Sequence, residues 1–439
     1  MDSGLHDGMA CKQGHQTSNL NGEQMRILYN IGIRLYWLVA CVISLWNRKA
    51  KLWVKGRKEW LEQLQQTIGP EERVIWFHCA SLGEFEQGRP VIEESRHRFP
   101  DHKILLTFFS PSGYEKRKNY EVADHVMYLP LDTARNARHL VSCLSLEFAL
   151  FVKYEFWYHF LHQLNRQKVP VFLASGIFRS NQVFFKWYGG WYRNFLNCFT
   201  HIFVQQEDSG HLLQQIGFDQ FTVAGDTRFD RVKQVAETAY ENAKLEAFSE
   251  ASTVIVAGST WEHDEQIMES ALKNLPEDVR LIIAPHELSV SHINRLKKRF
   301  TESVLYTEMD HLMPPGIRVI IVDTIGQLSY LYRYGTLAYI GGGFGKGIHN
   351  TLEAATYGIP VIFGPAYHKF SEAVELTRLT AAFPVHDEEE LLSTIHQQLK
   401  NPELLKTTSE IAGNYVMERV GATSVIMNRV CIKSAANML

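Results

Sequence analysis

The chain of 439 residues is long enough for two or three domains of about 100 to 200 residues each. A content of 45% hydrophobic and 21% charged residues is that of an ordinary globular protein and excludes long disordered, collagen-like and small disulfide-scaffold chains. Lys plus Arg number 45 against 48 Asp plus Glu, a formal net charge of -3, so no global basic field exists to hold nucleic acid.

Residues 1 to 24 are polar, carry no apolar period and are expected to be disordered; Met25 then opens a hydrophobic segment in the manner of a natural start. Residues 35 to 46 (LYWLVACVISLW) contain a single polar residue, Ser44, and extending the run back through Leu28, Tyr29, Ile31 and Ile33 brings it near the ~20 residues that cross a bilayer, with Arg34 included. Arg48, Lys49, Lys51, Lys55, Arg57 and Lys58 follow, interleaved with Leu52, Trp53, Val54 and Trp60. This cation-rich, Trp-bearing flank suits an anionic cytoplasmic leaflet, and the positive-inside rule places the rest of the chain in the cytoplasm. Residues 25 to 60 are therefore predicted to be a membrane-anchoring basic and aromatic helix, with a buried core helix as the alternative. A signal peptide fits less well, because no small-residue cleavage site follows.

From Glu72 onward, short β-branched or aromatic runs alternate with helical stretches, the pattern of a parallel sheet covered by helices. The strands of the first half are predicted at 74–80, 103–109, 125–130, 148–154, 169–175 and 201–205, and those of the second half at 253–259, 280–286, 303–307, 318–323, 337–342 and 360–364. The chain is thus expected to be α/β, with two doubly wound Rossmann-like domains of about six strands each facing across a cleft. The break is read near 226–250, giving an N-terminal domain over 61–235, a C-terminal domain over 236–400 and closing helices over 401–439, broken at Gly413.

Four segments could carry chemistry. In HCASLGEFEQGRP a strand ends at Ala80 and Ser81-Leu82-Gly83-Glu84 turns into a helix; Glu84 stands where a general base would, although a first-turn carboxylate is also favoured by the helix dipole alone. Glu86 and Glu93 read as surface carboxylates. In YIGGGFGKGIHNTLEAATYGIP a strand runs into five glycines and a helix begins near Asn350. Exposed backbone N–H groups and the helix terminus there would suit a phosphate. Neither a Walker A nor the Rossmann G-x-G-x-x-G spacing is present. Asn350 with Glu353 also makes a capping box, while a nucleotide ribose could use the same carboxylate.

Arg228, in GDTRFD at the domain junction, could reach a charge forming in the cleft, or simply pair with Asp230. Lys153-Tyr154-Glu155-Phe156-Trp157 ends a strand with a base, an acid and aromatics, or makes an aromatic packing patch. The only closely spaced histidines, His159 and His162, have no third ligand nearby, and the six cysteines form no C-x-x-C pair, so neither a zinc site nor a disulfide framework is expected.

In this order the segments resemble the 3-deoxy-D-manno-octulosonic acid (Kdo) transferases, membrane-associated glycosyltransferases of the GT-B fold. The match runs from about Met25 to the C-terminus through VKGRKEW, HCASLGE, TFFSPSGYE, YLPLDT, YEFW, GDTRFD, VAGSTWEHDE, APHE, VDTIGQLSYLY, IGGGFGKGIHNTLEA and PVIFGPAYHKF. The resemblance implies transfer of Kdo from CMP-Kdo to a lipid A precursor in lipopolysaccharide assembly, with inversion of the anomeric centre. It also implies no metal and no cofactor, and a place at the cytoplasmic face of the inner membrane, in contact with its lipids.

Glu84 would then be the base, and Arg228 stands where the family commonly has a transition-state Lys. CMP contacts would fall on Pro285 and His286, on Ile325, Gly326 and Gln327, and on Asn350, Thr351, Leu352 and Glu353. Three departures stand out: many members have Glu at Lys153, Arg at His286 and Met-Gly-Glu at Ile325-Gly326-Gln327. The first leaves Glu155 to share the role of second transition-state residue. The competing readings are a GT-B transferase using a UDP-sugar, which the glycine loop and Glu353 would serve equally, and a non-catalytic membrane-tethered scaffold, against which Glu84, Arg228 and Glu353 speak.

Overall fold

The computed structural model describes residues 11–250, 252–309 and 316–436, with side chains for the described residues between 22 and 433. Two compact units form: one runs to Thr227 and is rejoined by the chain from Gly421 onward, and the other spans Arg228–Val420.

In the first unit the strands are β1 (Arg73–Cys79), β2 (Lys103–Phe108), β3 (His125–Tyr128), β4 (Ser145–Val152), β5 (Val171–Gly176), β6 (His201–Val204) and β7 (Phe221–Val223). They pair in parallel in the order β3-β2-β1-β4-β5-β6-β7. A parallel sheet covered on both faces must bury both sides of its strands, and in β1 every residue after Arg73 is buried. One face packs Trp76, Leu105, Phe151 and Phe160 together; the other packs Phe77, Phe85 and Phe148. Ile426, Met427 and Val430 of the last helix, Ala422–Ala436, complete that second face.

In the second unit the strands are β8 (Thr253–Thr260), β9 (Val279–Pro285), β10 (Ser303–Leu305), β11 (Val319–Ile321), β12 (Leu337–Ile340), β13 (Val361–Phe363) and β14 (Ala382–Pro384). Their order is β10-β11-β9-β8-β12-β13-β14, again parallel throughout. The first sheet reverses its strand order at β1/β4; the second does so at β8/β12, and its β10 lies outside β11. Ligands of open parallel sheets bind at the carboxyl ends of the strands flanking such a reversal.

Each sheet has seven strands where about six were expected. The additional ones, β7 and β14, are three-residue edge strands, too short for a periodic signal. The expected break at Gly413 does not occur: the helix Pro402–Met417 runs through it. A side chain at Gly413 would lie 3.4 Å from the Cα of Gly358, so the glycine serves close packing. The turn comes later, where Gly421 takes φ +117, a left-handed value that other residues rarely adopt.

Of the N-terminal extension, residues 1–10 lie outside the described residues, and 11–24 continue the helix Cys11–Ile43. That helix docks along the first unit. Tyr29 donates a hydrogen bond to Asp132 Oδ2 at 2.5 Å, and Asn30 Oδ1 lies 2.6 Å from His159 Nε2. Tyr36 and Trp37 pack on Trp53, whose ring also meets Phe109. Arg57, expected in the leaflet-facing basic flank, is instead buried. Its guanidinium donates to the carbonyls of Leu129, Trp53 and Phe109 at 2.7 to 2.9 Å, so its charge is consumed inside the unit.

Asp132 also accepts the first free amides of the helix Tyr158–Arg166, from His159 and Phe160, both at 3.0 Å. Burial pushes its carboxyl up to about 6 in spite of these donors. The folded chain therefore takes up this proton at about pH 6 and the unfolded chain only near the ordinary carboxyl range, so protonation between these values favours the folded state. Wild type should accordingly gain melting temperature relative to Asp132→Asn, which cannot titrate, as pH falls from 7 to 5. A constant or opposite difference across that range would show that Asp132 does not behave in this way.

Candidate active site

At the reversal of the first sheet, β1 ends at Cys79 and the helix Leu82–Arg98 starts three residues on, with Glu84 in its first turn. The hydroxyl of Ser81 donates to Glu84 Oε2. That contact holds the carboxylate at the strand end. β4 ends at Val152, and Lys153 follows in the left-handed region at φ 65, its N–H donating to Ala174 O at 2.9 Å. The sharp turn there brings Glu155 back against β1. Glu155 Oε2 lies 3.0 Å from His78 Nε2 and accepts from Trp157 Nε1 at 2.7 Å. Burial pushes the Cys79 thiol well up, and the charges of Glu84 and Glu155 push it further, which puts both carboxylates near this strand end. Lys153, Glu155 and Glu84 thus gather where β1 and β4 part.

In the second unit, Pro285 closes β9, and His286 donates its N–H to Thr260 O at 2.9 Å. The His286 ring stacks on Trp261 and on His349, each at 4.6 Å between centroids, and Trp261 Nε1 donates to His349 Nε2 at 3.2 Å. Burial, and then the neighbouring His286, pull the His349 imidazole below its usual range. A three-ring platform therefore stands at the carboxyl ends of β8 and β9 and the loop after β12. Ile325 is exposed and Gly326 takes φ +89, while Gln327 accepts a hydrogen bond from Tyr240 OH at 2.9 Å.

The glycine loop departs from expectation. Several of its backbone N–H groups are spent within the unit instead of being offered to a phosphate. Gly342 N donates to Asp264 Oδ2, Gly341 N to Gly258 O, both Gly345 N and Gly347 N to Gly342 O, and His349 N to Gly341 O. Close approach explains the glycines: a side chain at Gly343 would meet Gly364 N at 2.5 Å, and Gly342 has φ +92.

The helix beyond is only Leu352–Ala355, so its dipole is short. Asn350 Oδ1 accepts the N–H of Leu352 at 3.1 Å, and Asn350 Nδ2 donates to Glu353 Oε1 at 3.1 Å. Asn350 thus caps the helix start and joins the side chain of Glu353. Thr351 and Leu352 are buried, and the Thr351 hydroxyl makes no hydrogen bond. Arg228, in the first turn of the helix Thr227–Glu237, pairs with Glu372 at 2.9 Å; the Glu372 carboxylate is 6% exposed. Among the described residues no three His, Cys, Asp or Glu side chains come close enough to hold a metal ion.

Sequence reasoning passed over His78, Trp261, His349 and Glu372. For His78 the signal was present, a histidine inside the otherwise apolar strand run VIWFHCA. The other three become visible only once distant segments meet.

Two doubly wound parallel units, each with polar side chains gathered at its strand reversal, define the GT-B class of glycosyltransferase fold. Over that fold the chain is similar to the UDP-GlcNAc 2-epimerase of Neisseria meningitidis, with a TM-score of 0.58 and 16% identity over 82% of this chain and 100% of the other. Residues 55–231 match the family described as 3-deoxy-D-manno-octulosonic-acid transferase (kdotransferase). Similar relatives include the 3-deoxy-D-manno-octulosonic acid transferases of Aquifex aeolicus, 28% identical over 78% of this chain and 91% of its own length, and of Rickettsia felis, 27% identical over 73% and 70%. The chain thus resembles the Kdo transferases over about three quarters of its length, and it is a glycosyltransferase.

Proposed function

We propose that this protein moves Kdo from CMP-Kdo to the lipid A precursor, inverting the anomeric centre, at the cytoplasmic face of the inner membrane. The observation that carries this reading is Glu84, tethered by Ser81 at the carboxyl end of β1 beside the reversal of the first sheet. There Glu84 takes the proton of the acceptor hydroxyl. The freed oxygen bonds to the anomeric carbon of Kdo, and the bond from that carbon to the phosphate oxygen breaks, so CMP leaves with the electron pair. Arg228 offsets the charge gathering on the leaving phosphate, and Glu372 orients its guanidinium. Glu155 contributes negative charge to the transition state. Lys153, where many members carry an acid, faces the anionic acceptor instead.

CMP is assigned to Pro285, His286, Ile325, Gly326, Gln327 and Asn350 through Glu353. Support comes from their gathering around the strand ends of the second unit and from the His286 platform, which offers a base an aromatic face. Glu353→Ala should weaken CMP about ten- to hundredfold, as expected for a charged hydrogen bond to ribose of ~1.5 to 3 kcal/mol. The cap on Leu352 comes from Asn350, so the fold should lose no more than about 1 kcal/mol. Unchanged CMP affinity by calorimetry together with a lowered melting temperature would reduce Glu353 to a structural residue.

The deciding experiment is incubation of the purified protein with CMP-Kdo, generated in situ, and a lipid A precursor, followed by mass spectrometry of the lipid. A Kdo adduct is expected. Thermal protection by UDP and not by CMP, without an adduct, would favour a UDP-sugar donor.

A further inference from the structure

A row of buried polar side chains runs under the β1/β4 reversal. Trp76 Nε1 donates to Thr107 Oγ1 at 2.8 Å, and the same hydroxyl lies 2.8 Å from His78 Nδ1 and 3.2 Å from Phe77 O. At the other end of the ring, His78 Nε2 meets Glu155 Oε2, which Trp157 Nε1 also reaches. The His78 side chain is fully buried and that of Glu155 is 11% exposed.

Trp157 Nε1 also lies 3.2 Å from His78 Nε2 but only 2.7 Å from Glu155 Oε2, so its N–H goes chiefly to the carboxylate. An ionised carboxylate only accepts, so the ring nitrogen facing Glu155 carries a hydrogen. The Thr107 hydroxyl adapts to the other nitrogen: it donates to Nδ1, or it receives from Nδ1–H and turns its own hydrogen to Phe77 O. In both arrangements Glu155 Oε2 is held by two N–H donors. Its Oε1 has no donor among the described residues.

We propose that His78 is a positioning residue for sugar transfer, fixing Glu155 so that its second oxygen serves the reaction beside Glu84. The inference rests on the Kdo transfer reading above. Lys153, at the same strand end, is a cation, and a cation there would oppose the positive charge that develops on the anomeric carbon. A fixed carboxylate favours that charge. His78 reaches the reaction only through Glu155.

Two near-isosteres separate the contacts. His78→Asn places an amide near Nδ1 and keeps the Thr107 contact but loses the donor to Glu155; His78→Gln places an amide near Nε2 and keeps that donor. In the full chain, kcat is expected to fall about 10- to 100-fold in His78→Asn, the usual scale for a group that orients a reacting one. In His78→Gln it should fall by less than about fivefold, with the KM for CMP-Kdo in both variants within about twofold of wild type. Adding Glu155→Gln to His78→Asn should lower kcat no further than Glu155→Gln alone, since the two act as a unit.

A normal kcat in His78→Asn, or effects of the two sites that multiply, overturns the proposal. If His78→Asn does not fold, Glu155→Gln decides: an unchanged kcat overturns it, and a loss in kcat at constant KM supports it. Failure of the wild-type protein to transfer Kdo overturns the functional reading itself, and this inference with it.

Discussion

Glu84→Gln is expected to abolish sugar transfer, with a loss of about 10² to 10⁴ in turnover, the usual contribution of a general base. CMP binding should stay within about threefold of wild type, because the proton assigned to Glu84 belongs to the acceptor and the residues proposed to hold CMP lie in the other unit. The substitution preserves shape: Gln can still accept from the Ser81 hydroxyl, so the first turn of Leu82–Arg98 should survive. That separates chemistry from folding better than Ala would. The measurement pairs mass spectrometry of the lipid product with calorimetric titration of CMP. Near-normal turnover would remove Glu84 from the chemistry and leave it as a first-turn residue favoured by the helix dipole. Ser81→Ala provides a graded companion: it frees the carboxylate without neutralising it and should cost less than Glu84→Gln.

How far the sequence reached depends on whether a signal is local. The strands that cover both faces of each sheet appear as continuous apolar runs, so RVIWFHC and FALFV could be placed from composition alone, while FTV and AFP at the sheet edges could not. Glu84 and Glu155 were legible because each follows its strand directly. Their gathering was not, because β1 and β4 are neighbours only in the sheet. The glycine loop misled for the opposite reason. Its density was visible, but whether those amides face a ligand or Asp264 depends on a residue about eighty positions earlier. Arg57 misled similarly. In sequence it is one of a basic row; in the fold three carbonyls from Trp53, Phe109 and Leu129 enclose it.

Replacing Ile31, Leu35, Leu38 and Val42 together by Ser is expected to release the protein from membranes and sharply reduce transfer to the lipid acceptor, while CMP binding survives. These residues lie on the outward side of the N-terminal helix, whose stretch Gly22–Ile43 is long and apolar enough by composition to cross a bilayer and has none of its apolar window buried. Each large apolar side chain moved from lipid to water costs roughly 1.5 to 3 kcal/mol, so four should shift the partition by well over a hundredfold. Substitution is a cleaner test than deleting residues 25–58, because Trp53 and Arg57 belong to the packed unit and their loss would damage the fold.

Contacts also bear on how the helix meets the bilayer. Tyr29, Asn30, Tyr36 and Trp37 are all held by the globular unit, so only about six residues, roughly 9 Å of helix, extend past the last of these contacts to Ile43. A hydrocarbon core is ~30 Å thick. A helix pinned in this way fits along one leaflet, where Trp187 and Tyr188, on the loop preceding the Trp191 that packs on Tyr29, expose aromatic rings of the kind that settle at the interface. Wild-type protein should therefore loosen from anionic vesicles in high salt, since part of its hold is charge. Extraction only by detergent, or vesicle binding by the four-Ser variant equal to wild type, would overturn this mode of attachment.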